Sequence, residues 1–343
     1  MAISSRRILR WAQPQSETVS NMIVGGYGAW AGDYAAAEAT MQRVSTAMGR
    51  EVMHGHCFFD HNWGWTAIEG DQTLLSAWGA WIAAKPGRSV SISVPLLPYS
   101  TDGGTTLEPA RGDFAGLANG VYDSHFATLG QNLAASAEWN TAILRLGWEF
   151  NGYSWPWSPT QDRTSGSLAQ AVADWKVGFT RAVQAIRSTC PGVKIMWCPS
   201  LGYDALPGYS LENLYPDDGA VDYVGFGAYD YNLNVTDYSN DVAGRLQRWE
   251  DNWSKPNGYA NMVALASAHG KDLAHVEWGL WPLSYQSQQG GGDDSVFIEK
   301  TAEYCRQYNV RLSVYNNSIP EHMLETYHDA QLAYQEIFNR YFA

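Results

Sequence analysis

Short apolar segments alternate with longer amphipathic segments along most of the chain. The short segments are rich in β-branched residues, which is typical of buried strands. They are Met22–Gly26, Val52–Phe58, Val90–Leu97, Ala142–Trp148, Val193–Cys198, Tyr223–Ala228, Leu273–Glu277 and Val310–Tyr315. Because strands that alternate regularly with helices pair in parallel, the pattern predicts an α/β fold.

The segments between these strands carry helical periodicity and helix-start signals. Asp33 is placed to cap a helix through Met48, and Pro320 is placed in the first turn of a last helix to about Arg340. The other predicted helices are Thr73–Lys85, Val121–Trp139, Ser167–Ser188, Asp294–Tyr308 and two pieces between Asp241 and Gly270.

Eight strand–helix repeats in one chain favour a closed, single-domain (β/α)8 barrel over an open doubly wound sheet. We expect the barrel at residues 21–343 and an N-terminal extension at residues 1–20. No G-x-G-x-x-G motif follows the first strand, so a dinucleotide site is not predicted.

Two glutamates stand at the ends of predicted strands. Glu149 follows Ala142–Trp148, and Glu277 ends Leu273–Glu277. A carboxylate at the edge of an apolar core is costly unless it has a partner. Since barrel active sites lie at the C-terminal ends of strands, the pair predicts acid/base and nucleophilic chemistry on a sugar. The alternative is two structural carboxylates, each held by a partner.

Period-two alternation assigns neighbours to each glutamate. Arg145, Gly147 and Glu149 are predicted to share one side of a strand, as are His275 and Glu277. Arg145 is therefore expected to point into the barrel, where a buried guanidinium helps to keep a nearby carboxylate ionised.

Several segments around these glutamates resemble one family. The strongest are Val221–Asp230, Glu149–Gly152 with the Trp-x-Trp that follows it, Lys194–Ser200 and His275–Gly279. They resemble glycoside hydrolase family 26, which includes β-mannanases, over about residues 113 to 315. The Val221–Asp230 segment is the most specific of them.

The resemblance implies a retaining, endo-acting β-glycanase that needs no cofactor. It implies that Glu149 is the general acid/base, that Glu277 is the nucleophile and that Tyr229 hydrogen-bonds the nucleophile. Retaining enzymes hold their two carboxyl groups about 5–5.5 Å apart. The apolar neighbours of Glu149 are expected to raise its pKa, whereas Glu277 is expected to stay ionised.

One departure from the family pattern means that the resemblance does not identify the sugar of the substrate. The family has a histidine directly before its acid/base residue, and this chain has Trp148. A tryptophan offers one N–H donor and no acceptor, so it cannot reproduce the bonding of an imidazole. Mannan, xylan, mixed-linkage glucan and a microbial exopolysaccharide therefore all fit the implied machinery.

The 16 tryptophans include several at or just after predicted strand ends, where flat rings suit sugar faces. Core packing is the alternative for each, and stacking is favoured most for Trp155 and Trp281. Asn151 either contacts sugar or fixes its loop. The predicted substrate-binding residues are Arg145, Trp148, Asn151, Trp155, Trp157, Trp197, Trp278, Trp281, His56 and Asp60.

The histidines of the second strand open a different possibility. His54 and His56 alternate, as in barrel metallohydrolases, and Asp60 and His61 follow them. The predicted fifth and sixth strands offer no histidine, so no metal site is predicted. A metal-dependent barrel hydrolase and a non-catalytic carbohydrate-binding barrel remain the alternative functions.

Charge and composition limit the partners. The net charge is −13 with 22 Lys+Arg, which disfavours binding to nucleic acid. A neutral polysaccharide or oligosaccharide is the expected partner, and the protein is expected to be a monomer. No apolar run approaches a membrane span. No secretion signal is recognisable, so extracellular location is expected only if a signal was removed. The four cysteines are predicted to be buried thiols, although a Cys190–Cys198 disulfide stays open.

Overall fold

A computed structural model describes residues 22–27, 32–201, 206, 208–232, 235 and 237–342. The predicted extension at residues 1–20 lies outside these residues. Eight parallel strands follow one another around a closed barrel, and the last strand pairs with the first. The predicted single-domain (β/α)8 barrel is therefore confirmed.

The strands agree with the predicted ones to within a few residues. They are β1 Ile23–Tyr27, β2 His54–Phe58, β3 Ser89–Val94, β4 Ile143–Leu146, β5 Lys194–Trp197, β6 Tyr223–Tyr229, β7 Asp272–Gly279 and β8 Leu312–Asn316.

Helices lie between the strands, and most also follow the prediction. The helices are α1 Tyr34–Met48, α2 Gly64–Ile68, α3 Gln72–Ala83, α4 Phe114–Ala118, α5 Asp123–Ala134, α6 Leu168–Thr189, α7 Leu211–Leu214, α8 Val242–Ser254, α9 Tyr259–Ala268, α10 Ser295–Gln307, α11 His328–Ala333 and α12 Asn339–Tyr341. Asp33 caps α1 as predicted, because its side chain accepts a hydrogen bond from the Ala36 N–H at 2.8 Å. Among the described residues, no helix is long and apolar enough to cross a membrane.

The predicted start of the last helix at Pro320 is wrong, whereas its predicted end near Arg340 is confirmed, since α11 continues through a π-helical segment at Tyr334–Phe338 into α12. The first regular turn is a 3-10 turn at Leu324–Thr326, and α11 begins only at His328. Asp293 fixes this start, since its carboxylate accepts the backbone N–H groups of Asp329 and Ala330 at 3.0 and 2.8 Å. An N-cap supplied from a distant loop leaves no local signal in the sequence.

The barrel interior has an apolar side and a polar side. The apolar side chains come from β4 to β8 and are Ile143, Met196, Cys198, Ala274, Val276, Leu312 and Val314. Polar side chains of β2, β3 and β4, among them His56, Ser91 and Arg145, are equally buried. The four cysteines are buried free thiols, so the open Cys190–Cys198 disulfide does not form.

A buried ionic cluster fixes the chain beyond β6. Arg248 on α8 donates from Nε to Asp230 at 2.7 Å and from Nη2 to Asp294 at 2.6 Å. All three side chains are buried. A Cβ on Gly291 would lie 2.2 Å from both Arg248 Nη2 and Asp230 Oδ2, so this position requires glycine. The Gln286–Asp294 loop is thereby tied to the end of β6.

Arg248→Met should destabilise the protein by about 3–5 kcal/mol, because it removes the guanidinium that bonds Asp230 and leaves Asp294 with only the longer Arg245 contact at 3.8 Å. Arg181→Met is the matched control. Its partner Asp123 and Arg181 itself are more than one-third exposed, so the loss there should stay below about 1 kcal/mol. Urea unfolding monitored by tryptophan fluorescence measures both. Equal losses in the two variants would contradict the importance assigned to the cluster.

Candidate active site

Glu149 lies in the turn that follows β4, at the C-terminal mouth of the barrel. Gly147 and Glu149 have φ values of 55° and 51°, so the extended strand ends at Leu146. The Glu149 N–H donates to the Cys198 carbonyl at 2.8 Å, which ties the turn to the end of β5. Trp155 Nε1 donates to Glu149 Oε2 at 3.3 Å.

The surroundings of Glu149 favour its protonated form. Burial and the negative charge of Glu277 raise the pKa of Glu149 to about 7. Arg145 and the hydrogen bonds from Trp155 and Ser200 oppose this rise but do not cancel it. A carboxyl group with this pKa can donate a proton near neutral pH and take it back later.

Glu277 lies on a bulge within β7. The pairing registers of β7 with β8 and of β6 with β7 both shift beside it, and its φ is 62°. Its carboxylate forms an ion pair with Arg145, and 17% of its side chain is exposed. Tyr229 donates its hydroxyl hydrogen to Glu277 Oε1 at 3.4 Å.

The bulge makes one prediction from strand alternation wrong. His275 does not share a side with Glu277, because the extra residue breaks the period-two pattern between them. The His275 ring stacks on Trp278 at 5.2 Å and packs against Phe226, outside the barrel. Only Glu277 turns towards Arg145 and the mouth.

Glu149, Glu277 and Arg145 meet around Gly227 on β6. A Cβ built on Gly227 would lie 3.4 Å from Glu149 Oε1, 3.4 Å from Arg145 Nη2 and 3.5 Å from the Glu277 carbonyl oxygen. A methyl group would fit here at ordinary contact distances, but a larger side chain would enter the space between Arg145 and Glu149. The two glutamates singled out in the sequence thus lie together in one place.

Arg145 points into the barrel, as predicted, but the prediction that it binds substrate is wrong. Its side chain is completely buried, so no ligand reaches it. Its Nε donates to Cys198 Sγ at 3.0 Å, and its Nη1 serves both Ser93 and Glu277. Burial alone would lower the pKa of Arg145, but Cys198 and the two glutamates raise it overall, which keeps the guanidinium charged.

Asn316, at the end of β8, is a site residue that the sequence analysis missed. Its Oδ1 accepts from the N–H and the hydroxyl of Ser318, so its Nδ2 is the atom that faces Tyr229 and donates to its hydroxyl at 2.6 Å. Burial and Glu277 raise the pKa of Tyr229 well above its usual value. Tyr229 therefore keeps its proton and directs it to Glu277.

A signal for Asn316 was present in the sequence. It is a polar residue directly after the predicted strand Val310–Tyr315, where side chains at the C-terminal mouth of a barrel are expected. His322 had no such signal. Its ring packs 4.6 Å from the Tyr229 ring, and its Nδ1 donates to the Leu280 carbonyl at 2.9 Å.

Three tryptophans predicted to bind substrate belong to the core, so these predictions are wrong. Trp157, Trp197 and Trp278 are completely buried. Trp157 Nε1 donates to the Trp148 carbonyl at 2.7 Å, and Trp278 Nε1 donates to Ser313 Oγ at 3.0 Å. Trp197 packs between Phe150 and the helical layer. Their rings cannot stack on a sugar.

Two other predictions are also corrected. Both nitrogens of the His56 ring bond serine hydroxyls inside the barrel, so His56 does not bind substrate. Asn151 is buried and holds the backbone of Ser200 from both sides, at 2.8 Å each. It fixes the loop that presents Ser200 to Glu149, which was the alternative considered for it.

The remaining aromatic and polar predictions lie beside the glutamates. Trp155, Asp60 and the edge of Trp148 line a cavity of about 290 Å³, together with Phe58 and Tyr27. Trp155 stacks on Trp157 at 5.0 Å and has further ring contacts with His61 and Trp148 at 5.4 and 5.3 Å. On the opposite side, Trp281 packs edge-on against Tyr229 at 5.3 Å and is 7% exposed. Their contacts with sugar stay predictions.

The histidines of β2 do not form a metal-binding set. His54 contacts Ser89 and Ser91 through its two ring nitrogens, as His56 contacts Ser91 and Ser93. Within the described part of the chain, no three His, Cys, Asp or Glu side chains are grouped so as to hold a metal ion.

The left-handed backbone at Glu149 gives a stability prediction. Glycine adopts positive φ without the Cβ clash that other residues suffer, so Glu149→Gly should be about 1 kcal/mol more stable than Glu149→Ala. Both variants remove the same carboxylate, so only the backbone preference differs. Thermal or urea unfolding of the pair measures it. A more stable alanine variant would show that the turn relaxes once the carboxylate is gone.

The chain was compared with family models, with curated proteins and with solved structures. No family model and no curated protein matches the chain. Solved structures do match it. The catalytic domain of the GH26 endo-β-1,4-mannanase of Bacillus sp. JAMB-750 has a TM-score of 0.61 at 13% identity, over 94% of this chain and 87% of that one.

Two further solved structures are similar to this chain over most of its length. The Bacillus subtilis mannanase BCman has a TM-score of 0.60 at 15% identity, over 91% of this chain and 86% of that one. Bacillus subtilis mannanase man26 has a TM-score of 0.58 at 18% identity, with the same coverage. The chain therefore has the fold of the solved mannanases of glycoside hydrolase family 26.

Proposed function

We propose that this protein is a retaining glycoside hydrolase, an endo-acting β-glycanase of the mannanase type. The observation that carries the proposal is the asymmetry of the two glutamates around Gly227. Burial and a neighbouring charge raise the pKa of Glu149 to about 7, whereas Glu277 is held by the Arg145 guanidinium and the Tyr229 hydroxyl. Two carboxyl groups in such different settings suit an acid and a nucleophile.

The first step follows from these roles. The Glu277 carboxylate attacks the anomeric carbon while Glu149 transfers its proton to the glycosidic oxygen, so the bond to the leaving sugar breaks and a glycosyl-enzyme ester forms. Glu149 is left as a carboxylate. Trp155 Nε1 and the Ser200 hydroxyl, which hydrogen-bond this group, then stabilise its negative charge.

The second step reverses the roles. Glu149 takes a proton from a water molecule, whose oxygen attacks the anomeric carbon and releases Glu277 as a carboxylate. Arg145 and Tyr229 stabilise the returning charge on Glu277. The anomeric configuration is inverted twice and thus retained.

The choice of glycan is supported less directly. Solved structures with this fold include endo-β-1,4-mannanases, which makes a β-linked mannan the first substrate to test. The cavity beside Glu149 is lined by Trp155, Trp148 and Phe58 and carries the Asp60 carboxylate at its rim. An aromatic wall suits sugar faces, and a carboxylate disfavours acidic glycans.

The wild-type protein should release new reducing ends from at least one polysaccharide in a panel of mannan, xylan, mixed-linkage glucan and acidic exopolysaccharides. Glu277→Ala should abolish release from every one, because no covalent intermediate can form. Product size by chromatography distinguishes endo from exo action. The matched control is Glu325→Ala, which removes a carboxylate bonded to Arg43 outside the site and should keep the activity.

Binding of a glycan without new reducing ends would favour a carbohydrate-binding barrel and contradict the proposal. Activity that survives in Glu277→Ala would contradict the assigned nucleophile. Activity that is lost in a chelator would support the metal-dependent alternative instead.

The acid role of Glu149 predicts that kcat/KM falls as the pH is raised. Since the group must be protonated to donate, kcat/KM on a natural glycan should fall about tenfold per pH unit above a pH of about 7. Glu149→Ala should lose most of this activity, and its remaining kcat/KM should no longer decrease above a pH of about 7. On aryl glycosides whose leaving group needs no proton, the same variant should retain far more kcat/KM, which reports the first step.

Equal losses on both substrate types would contradict the acid role. Glu149→Gln is a useful companion variant, since it keeps the hydrogen-bond geometry with Trp155 but cannot donate a proton of comparable acidity. It should follow Glu149→Ala in its substrate dependence.

A further inference from the structure

A column of hydrogen bonds runs inside the barrel along β2 and β3. His54 contacts Ser89 Oγ at 2.8 Å and Ser91 Oγ at 3.0 Å. His56 contacts Ser91 Oγ at 2.7 Å and Ser93 Oγ at 2.9 Å. Each ring therefore bridges two serines, and Ser91 is shared between the two rings.

The strand register builds this column. His54 pairs with Ser89 and His56 pairs with Ser91, so alternate residues of two neighbouring strands face the same interior. Gly25 on β1 makes room for the first ring, because a Cβ there would lie 2.8 Å from His54 Cδ2.

The column ends at Ser93, which contacts Arg145, the partner of Glu277. Arg145 Nη1 lies 3.4 Å from Ser93 Oγ and forms the ion pair with Glu277. The column members His54, His56, Ser91 and Ser93 are at most 1% exposed, and Arg145 is completely buried. The hydrogen bonds thus continue from the middle of the barrel to Glu277.

The chemistry of arginine gives the column a direction. A guanidinium only donates, so Ser93 Oγ accepts from Arg145 and passes its own hydrogen to His56 Nε2. His56 then donates from Nδ1 to Ser91, which donates to His54 Nε2. The opposite direction would leave the buried Ser93 hydroxyl hydrogen without an acceptor, which is costly.

We propose that this His–Ser column positions the Arg145 guanidinium, so that its Nη1 atom stays bonded to the Glu277 carboxylate. The inference rests on the proposed function, because it takes Glu277 as the nucleophile. Ser93 fixes the Nη1 atom that serves Glu277, and the histidines fix Ser93. His54, His56, Ser91 and Ser93 touch no substrate and act through Arg145.

The other side of the interior supports a specific role for these polar groups. Seven apolar side chains fill that side, and of these Cys198, directly after β5, accepts a hydrogen bond from Arg145 Nε at 3.0 Å. Buried polar groups cost stability unless every one has a partner, and here all the ring nitrogens have one. Both sides contact Arg145, but only Ser93, on the polar side, bonds the same Nη1 atom that forms the ion pair with Glu277 among the described residues.

Ser93→Ala tests the proposal against Ser313→Ala. Both remove a buried strand hydroxyl that accepts one N–H, from Arg145 in the first case and from Trp278 in the second. Ser93→Ala should lower kcat roughly tenfold with KM within about twofold, because a misplaced charge affects the transition state more than binding. Ser313→Ala should leave kcat within about twofold, and Ser93→Thr, which keeps the hydroxyl, should recover most of the loss.

Equal kcat values for Ser93→Ala and Ser313→Ala would overturn the positioning role. If Glu277→Ala stayed active, the proposed function would fall instead, so the two failures are distinguishable.

A second measurement needs no variant and no substrate. The direction of the column requires both imidazoles to be neutral and to carry their proton on Nδ1. Burial, which lowers the pKa of His54 to about 3 and that of His56 well below its usual value, agrees with neutral rings. Nitrogen-15 NMR of histidine-labelled protein should show two Nδ1–H tautomers near neutral pH. A proton on Nε2 of either ring would overturn the column as described.

Discussion

The buried guanidinium of Arg145 is the constraint on which the rest of the site depends. A charge without solvent contact must be compensated by protein groups, and Glu277 supplies the opposite charge. Ser93 and Cys198 bond the same side chain from β3 and β5. The guanidinium and Glu277 act on Glu149 with opposite signs, and burial together with Glu277 prevails, which raises the pKa of Glu149 to about 7. Both members of the Arg145–Glu277 ion pair therefore act on the pKa of Glu149, after burial, which has the largest effect.

Both glutamates depend on unusual backbone. Glu149 and Glu277 have positive φ, which costs a residue with a Cβ of the order of 1–3 kcal/mol. The surroundings hold them there: the Glu149 N–H is bonded to Cys198 at the end of β5, and Glu277 is anchored by the registers on either side of its bulge. The same distortions turn the Glu149 carboxyl group towards Gly227 and Arg145, and the Glu277 carboxylate towards Arg145 and Tyr229. Local strain is therefore what brings the two glutamates together at the mouth of the barrel.

Burial separates aromatic residues that look alike in the sequence. Trp155 and Trp157 are two positions apart and stack on each other, yet only Trp155 faces the cavity beside Glu149. Trp278 directly follows Glu277 but lies outside the barrel, because the bulge returns it to the face that packs on the helices. Position relative to a strand end does not decide which ring can meet a sugar; the side of the sheet and the depth in the core do.

Local patterns along the chain were enough to predict the architecture and to single out Glu149 and Glu277. Alternating apolar strands and helical segments are a local, repeated signal, so eight strands and the cap at Asp33 could be read directly from it. The tertiary structure decided what depends on long-range contacts. The bulge that separates His275 from Glu277, the cap that Asp293 provides to α11 and the link between Asn316 and Tyr229 all join residues from different elements. Hydrogen-bond partners distant in the chain leave no period in the sequence, and for that reason only the folded barrel reveals them.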